Sequence, residues 1–152
     1  MKDKIYVSTR NSSETASASE AVTRGLAPDG GLYVPTFIDD VRFDLNALKD
    51  LSYPELAKAV LSEFLDFTPE QIDACIEGAY QSGRFDIDSL VRTVPTSFGG
   101  ILELHHGPTA AFKDMALTIM PFLMTTAAKN CGEDRNIAIL TATSGDTGKA
   151  AL

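Results

Sequence analysis

A lysine, Lys113, stands at the start of a long stretch with almost no other charge. Residues 107–124 read GPTAAFKDMALTIMPFLM, and after Asp114 the next charged residue is Lys129. This pattern predicts a long helix that is apolar or neutral on every side and bends near Pro121. Burial disfavours a charged ammonium, and a neutral amine is a nucleophile for carbonyl compounds, of which pyridoxal phosphate is a common one.

The predicted helix would place Lys113 on one face with Ala116, Leu117 and Met120. Such apolar neighbours favour a reactive amine. The alternative is that Lys113 lies on an exposed first turn and extends its amine to water, as most lysines do. The residues alone leave both interpretations open.

A second candidate site lies in TATSGDTGKAA, residues 141–151. The apolar run before it, NIAILTAT, predicts a strand buried on both faces of a parallel sheet, followed by a turn into a helix. Glycines allow tight turns, hydroxyls form hydrogen bonds, and the free N–H groups of a helix start bind carboxylates or phosphates. The residues of this loop with those properties are Thr143, Ser144, Gly145, Thr147 and Gly148.

Known nucleotide-binding loops do not explain this segment. A P-loop needs glycine where Thr143 stands and serine or threonine where Ala150 stands, and the GxGxxG fingerprint is absent. An ordinary strand-to-helix turn capped by serine or aspartate remains the alternative to a ligand site.

Composition excludes several classes of function. The chain has 152 residues, of which 44% are hydrophobic, enough for a folded core. Its net charge of −8 argues against a nucleic-acid surface, which would be basic. The N-terminus lacks the apolar segment of a signal peptide, and no apolar run of about 20 residues occurs, so we expect a soluble cytoplasmic protein with no membrane contact.

Cysteine and histidine spacing predicts no metal site. Cys75 and Cys131 are distant from each other and form neither a disulfide framework nor a zinc pattern. His105 and His106 are adjacent, so on a strand they would face opposite sides and would not easily share a metal ion.

The first 95 residues carry clear helix signals. Ser52 with Glu55, and Thr68 with Gln71, are capping boxes, each with an early proline, and Gly83 predicts the end of the second helix. A short helix is predicted over 18–25, with short strands at 4–10 and in the PDGGLYVP segment.

The predicted fold class is α/β. Residues 1–95 form a mostly helical N-terminal domain, and residues 96–152, with a short strand at 101–104, begin a parallel-sheet domain. Two parallel strands cannot cover themselves, so we expect the N-terminal part of a longer protein. The alternative is a complete chain whose final helix packs back.

Four segments together resemble the threonine synthase family of fold-type-II pyridoxal-phosphate enzymes. In chain order they are YVSTR, GLAPDGGLYVP, HGPTAAFKD and TATSGDTGKAA, and together they extend through most of the chain. Other fold-type-II enzymes carry asparagine where this chain has Asp146 and a different sequence around the lysine. The resemblance implies a tryptophan-synthase-β-like catalytic domain, here incomplete.

The resemblance also implies roles for individual residues. Lys113 matches the lysine that binds pyridoxal 5′-phosphate covalently and moves protons, with Phe112 and Asp114 beside it in the cofactor site. The loop Thr143, Ser144, Gly145, Asp146, Thr147 and Gly148 matches the segment that binds the substrate carboxylate, with Asp146 near the cofactor's 3′-oxygen. His106 opens the lysine motif and is expected near the cofactor.

The implied reaction is that of a carbon–oxygen lyase in threonine biosynthesis, which converts O-phosphohomoserine and water to L-threonine and phosphate. The family's loop for the cofactor phosphate and its partner for the pyridine nitrogen are absent, so we expect the chain alone to be inactive and to bind cofactor weakly. Apolar faces left by truncation predict self-association. The alternatives are another pyridoxal-phosphate β- or γ-replacement enzyme, or a non-catalytic interaction or dimerisation module.

Overall fold

The N-terminal region begins with a small antiparallel sheet. The structure is a computed structural model that describes residues 4–81, 83–143 and 145–151. The first three strands are β1 Ile5–Ser8, β2 Thr15–Ser17 and β3 Tyr33–Pro35. They lie in the order β2-β1-β3, with Tyr6 of β1 opposite Ala16 and Pro35. The strands predicted at 4–10 and in the PDGGLYVP segment are therefore confirmed as β1 and β3, and β2 was not predicted.

Four helices follow or connect these strands; three of them begin where the sequence predicts, and the one at Leu45–Leu48 was not predicted. They are α1 Ala18–Arg24, α2 Leu45–Leu48, α3 Tyr53–Phe64 and α4 Pro69–Tyr80, with a 3-10 turn at Ile38–Asp40. Both predicted capping boxes form: the Ser52 N–H donates to Glu55 at 2.8 Å, and the Gln71 N–H donates to the Thr68 hydroxyl at 3.2 Å. Helix α4 ends at Tyr80, before the predicted stop at Gly83.

The second half of the described chain contains a hairpin and three helices. Its elements are β4 Arg92–Thr96, β5 Gly99–Glu103, α5 Asp114–Leu117, α6 Met120–Asn130 and α7 Asp146–Ala151. β5 contains most of the predicted strand at 101–104. Its antiparallel partner β4 was not predicted, and the hairpin they form lies across the predicted domain boundary between residues 95 and 96.

The core joins the two halves. Helix α6 packs against α1 and α4. The buried apolar side chains come from these three helices and the segments beside them: Ala18, Leu65, Phe67, Ile72, Cys75, Ile76, Ala79, Ile119 and Ala127. Because α6 follows the lysine motif directly, this core anchors one end of that motif.

The prediction of one long helix from residue 110 is wrong: the helix begins later than predicted and is interrupted. Ala110 has a left-handed backbone with φ of +56°, and the helix begins only at Asp114. The chain then leaves α5 after Leu117 and starts α6 at Met120. Pro121 lacks an N–H group and cannot continue the hydrogen bonds of α5, which explains why the predicted bend becomes a break.

The predicted strand NIAILTAT is not formed. Residues 136–143 have no strand pairing within the described ranges, and Ile137, Ile139 and Leu140 are 45%, 42% and 95% exposed. An extended apolar segment becomes a sheet strand only when a neighbouring strand accepts its hydrogen bonds, and no described strand lies beside it. The strand pairs that are described are all antiparallel.

None of the described helices is both long enough and apolar enough to cross a lipid bilayer.

Candidate functional site

Lys113 immediately precedes α5. Its carbonyl oxygen accepts the first bonds of that helix, from the N–H groups of Ala116 at 3.1 Å and Leu117 at 2.9 Å. The side chain is half-buried, and its amine nitrogen lies 4.9 Å from the centroid of the Phe112 ring. No carboxylate in the described part of the chain forms an ion pair with this amine.

The surroundings of Lys113 are less apolar than the sequence predicts. Phe112 is 62% exposed, and Ala116, on the predicted apolar face, is exposed as well. The expectation of a helix buried on every side is therefore wrong for this turn. The ring of Phe112 lies near the amine, and Lys113 as a residue is half-buried, so part of it is accessible to an incoming molecule.

Asp114, next to Lys113, is buried, and its side chain stabilises the turn before α5. Its side chain is 2% exposed, with one oxygen 2.8 Å from the Thr109 N–H and the other 2.7 Å from the Thr109 hydroxyl. A buried carboxylate needs such donors, because an unpaired one is costly. This pair of bonds, which we call the Thr109–Asp114 clasp, closes the turn on which Lys113 stands.

Gly107 makes room for the clasp. A methyl group at this position would lie 2.4 Å from Cβ of Asp114, far inside contact distance. The Gly107 carbonyl accepts a hydrogen bond from the N–H of Ala110 at 3.0 Å, and Ala110 takes the left-handed conformation that reverses the chain. The glycine of the motif is thus required by packing against Asp114.

His106 is buried between two carboxylates. Its Nδ1 lies 2.6 Å from Asp86, and its Nε2 lies 3.1 Å from Glu103. Hydrogen bonds from two side chains hold the pKa of the Glu103 carboxyl below its usual value. The bond from Arg92 has the larger effect and the bond from His106 the smaller one. His106 therefore joins the β4–β5 hairpin to the start of the lysine motif.

The prediction that His105 and His106 face opposite sides is wrong. Their rings are stacked, with centroids 4.5 Å apart, because β5 ends at Glu103 and the histidines lie beyond it. Ligand atoms of Glu103, His105 and His106 come within 4.8 Å of one another, close enough to hold a metal ion. The guanidinium of Arg92, 2.8 Å from Glu103, already neutralises that carboxylate and opposes a second cation.

The second candidate loop caps α7. The Thr143 hydroxyl accepts hydrogen bonds from the N–H groups of Gly145, at 3.2 Å, and Gly148, at 2.9 Å. Gly148 is buried, and a methyl group there would lie 2.8 Å from the Thr143 hydroxyl. Asp146 is exposed in the first turn of α7, and Thr147 is half-buried.

Ser144, a predicted substrate-binding residue, lies outside the described residues. The described part of the loop therefore combines a capped helix start with an exposed carboxylate at Asp146.

The two predicted sites lie next to each other. Helix α7 is in contact with α5, and the amine of Lys149 donates to the carbonyl oxygen of Thr109 at 3.3 Å. Lys149 thus connects the α7 loop to the turn that carries Lys113. Sequence analysis missed both Thr109 and Lys149; each lies inside one of the two motifs, and that position was the only available signal.

Comparison with protein families decides the assignment. Residues 5–80, half of the chain, match the family described as threonine synthase N terminus. The chain belongs to the threonine synthase family. The predicted family resemblance is confirmed by this match.

Individual threonine synthases match over nearly the whole chain. Threonine synthase from Schizosaccharomyces pombe is 36% identical over 97% of the chain, and that from Corynebacterium glutamicum is 40% identical over 96%. The crystal structure of pyridoxal-phosphate-bound threonine synthase from Brucella melitensis superposes with a TM-score of 0.85 at 37% identity over 97% of the chain. The chain spans only 30%, 32% and 32% of these three proteins, respectively.

Proposed function

We propose that the full-length protein containing this chain is a pyridoxal-phosphate-dependent threonine synthase that converts O-phosphohomoserine and water to L-threonine and phosphate. The observation that carries this proposal is the contact between the Lys113 turn and the Thr143 loop through Lys149 and Thr109. Two separate motifs that resemble those of threonine synthases thus lie side by side, which supports a single site.

The residues present suit the cofactor. Lys113 offers a half-buried amine beside an aromatic ring, without an ion-pair partner among the described residues. We assign to its nitrogen the covalent attachment of the cofactor and the transfer of protons to and from the substrate. When bound, pyridoxal phosphate supplies an electron sink that allows protons to leave the substrate carbons.

The residues near Lys113 have different proposed roles in binding and positioning. We assign the loop 143–148 to the substrate carboxylate, since N–H groups at a helix start bind anions. The N–H groups of Gly145 and Gly148, which donate to the Thr143 hydroxyl, would exchange that partner for the carboxylate. Asp146 is exposed and free to face the cofactor, while Phe112 borders the lysine amine. Asp114 is already bonded to Thr109, so its proposed role is to position Lys113 rather than to contact the cofactor.

We further propose that residues 1–95 form the N-terminal domain and residues 96–152 begin the cofactor-binding domain. Residues 136–143 would then become an inner strand of a parallel sheet once neighbouring strands are present. Their exposed apolar side chains, Leu140 above all, support this proposal, because a covered strand would bury them. The isolated chain would have no turnover.

A lysine substitution tests the function. In the full-length protein, Lys113→Ala should abolish borohydride-trapped cofactor and reduce turnover of O-phosphohomoserine by about 1,000-fold or more, since no other group replaces the attaching amine. The control is Lys129→Ala, which removes an exposed lysine of α6 and should leave both unchanged. Circular dichroism would check that both variants remain folded.

Other outcomes distinguish the alternatives. Turnover of serine or O-acetylserine in preference to O-phosphohomoserine would indicate a different replacement enzyme on the same cofactor. Trapped cofactor on another lysine, or none in the wild-type protein, would overturn the assignment and favour a non-catalytic module.

A further inference from the structure

Helix α5 is too short to be stable by itself. It spans Asp114–Leu117, a single turn, and an isolated helix of this length does not persist in water. The position of Lys113, which immediately precedes it, therefore depends on contacts from outside the helix. The Thr109–Asp114 clasp supplies one such contact, from within the lysine motif.

Tyr80 supplies a second contact, from the N-terminal region. Its hydroxyl donates a hydrogen bond to the carbonyl oxygen of Met115 at 2.8 Å, across 35 residues of sequence. Met115 lies two residues beyond Lys113, in the only turn of α5. This bond ties the α5 backbone to the end of α4, whereas the clasp ties it to the lysine motif itself.

The ring of Tyr80 is itself held in place. It packs edge-on against Tyr53 of α3, with centroids 5.1 Å apart, and lies 6.1 Å from the buried ring of Phe85. Burial raises the pKa of Tyr80, and the neighbouring Tyr53 raises it further, so the hydroxyl keeps its proton and donates it. A rigid ring at the end of α4 thus presents a fixed donor to α5.

From this geometry we propose that Tyr80 is a positioning residue for Lys113: its hydroxyl holds the Met115 carbonyl and so sets the direction of the lysine amine. The inference rests on the proposed function of Lys113. If it holds, the N-terminal region takes part in the site, because Tyr80 at the end of α4 positions Lys113.

Tyr80→Phe in the full-length protein is the test, with Tyr6→Phe as a matched control. Tyr6 also donates from a partly buried hydroxyl to a backbone carbonyl, that of Phe64, at the same 2.8 Å, but its bond joins β1 to α3 and involves no residue of the lysine motif. Each variant removes one oxygen and keeps its ring, so a general loss of stability should be similar in both.

The readouts separate positioning from stability. Tyr80→Phe should slow the covalent attachment of added pyridoxal phosphate to the cofactor-free protein by about tenfold and shift the pH midpoint of the bound cofactor's absorbance, because misplacing a reacting group is costly. It should also speed hydrogen exchange at residues 114–117. Tyr6→Phe should leave the attachment rate within about twofold and the pH midpoint unchanged.

Equal attachment rates and equal pH midpoints in the two variants would overturn the inference. So would a Tyr80→Phe protein that fails to fold while Tyr6→Phe folds, since the hydroxyl would then serve folding and not orientation. If the wild-type protein attaches no cofactor at Lys113, the proposed function fails first, and that result is distinct from either outcome.

Discussion

Residues 5–80 and residues 104–151 are organised by different kinds of contact. In the first region, each long helix begins at a capping box formed by residues three positions apart, such as Thr68 and Gln71. In the second, the short helices α5 and α7 are joined by contacts such as Lys149 with Thr109, 40 residues apart. The comparison teaches that the first region is built from local signals, whereas the candidate site requires the chain to be assembled.

The largest effect should come from Gly107→Ala in the lysine motif. The added methyl would lie 2.4 Å from Asp114, whose buried carboxylate cannot move without losing its bonds to Thr109. We expect a loss of about 3 kcal/mol in the free energy of unfolding, at the upper end for overpacking. Urea unfolding of the full-length protein would measure it.

Gly83→Ala is the contrasting variant. Gly83 has a positive φ of +84° but open space around it, so alanine there tests backbone strain without crowding. We expect a loss of about 1 kcal/mol. A larger loss for Gly83→Ala than for Gly107→Ala would contradict the view that the site region depends on close packing.

Thr109→Val should have the next largest effect. It keeps the shape of the side chain but removes the hydroxyl that donates to Asp114 at 2.7 Å, leaving a buried carboxylate with fewer donors. We expect a cost of about 1–3 kcal/mol in the free energy of unfolding and slower attachment of cofactor.

Thr125→Val provides the matched control for Thr109→Val. Its hydroxyl also donates at 2.7 Å, but to the Pro121 carbonyl on the exposed side of α6. Its loss should cost at most about 0.5 kcal/mol. Equal costs in the two threonine variants would show that the clasp adds nothing beyond an ordinary helix contact.

Glu103→Gln should have the smallest effect, and it should depend on pH. The folded state lowers the pKa of Glu103 below its ordinary 4.5, so the ionised carboxylate stabilises the fold above that pH. This contribution is lost as the pH falls through the lowered value. The difference in unfolding free energy between wild type and variant should therefore be largest near pH 7 and shrink below about pH 4.5. Parallel pH profiles would contradict it.

Much of the first region was predictable because its signals are local. The capping boxes at Ser52 and Thr68 fix where α3 and α4 begin, whatever packs around them. The strand near the N-terminus was found for the same reason. Strand β4 was missed because its sequence, RTVPT, contains a proline and little apolar alternation, so only its pairing with β5 identifies it.

The site was predictable only as two motifs. Lys113 and the loop around Thr143 were identified as candidates from residue types and family resemblance, yet their contact depends on tertiary packing. The bond from Tyr80 to Met115 crosses 35 residues and leaves no local pattern. The prediction of a strand at 136–143 was wrong for this structure because an apolar run cannot indicate whether a pairing partner is available.

The clasp has a consequence for natural variation. Replacing the Thr109 side chain alone removes one of the two donors to the buried Asp114 carboxylate and keeps the backbone N–H, whereas replacing Asp114 as well removes the acceptor of that lost bond, so the two costs should not add. Positions 109 and 114 should therefore change as a pair among homologous chains, and a double-mutant cycle on them should show strong coupling.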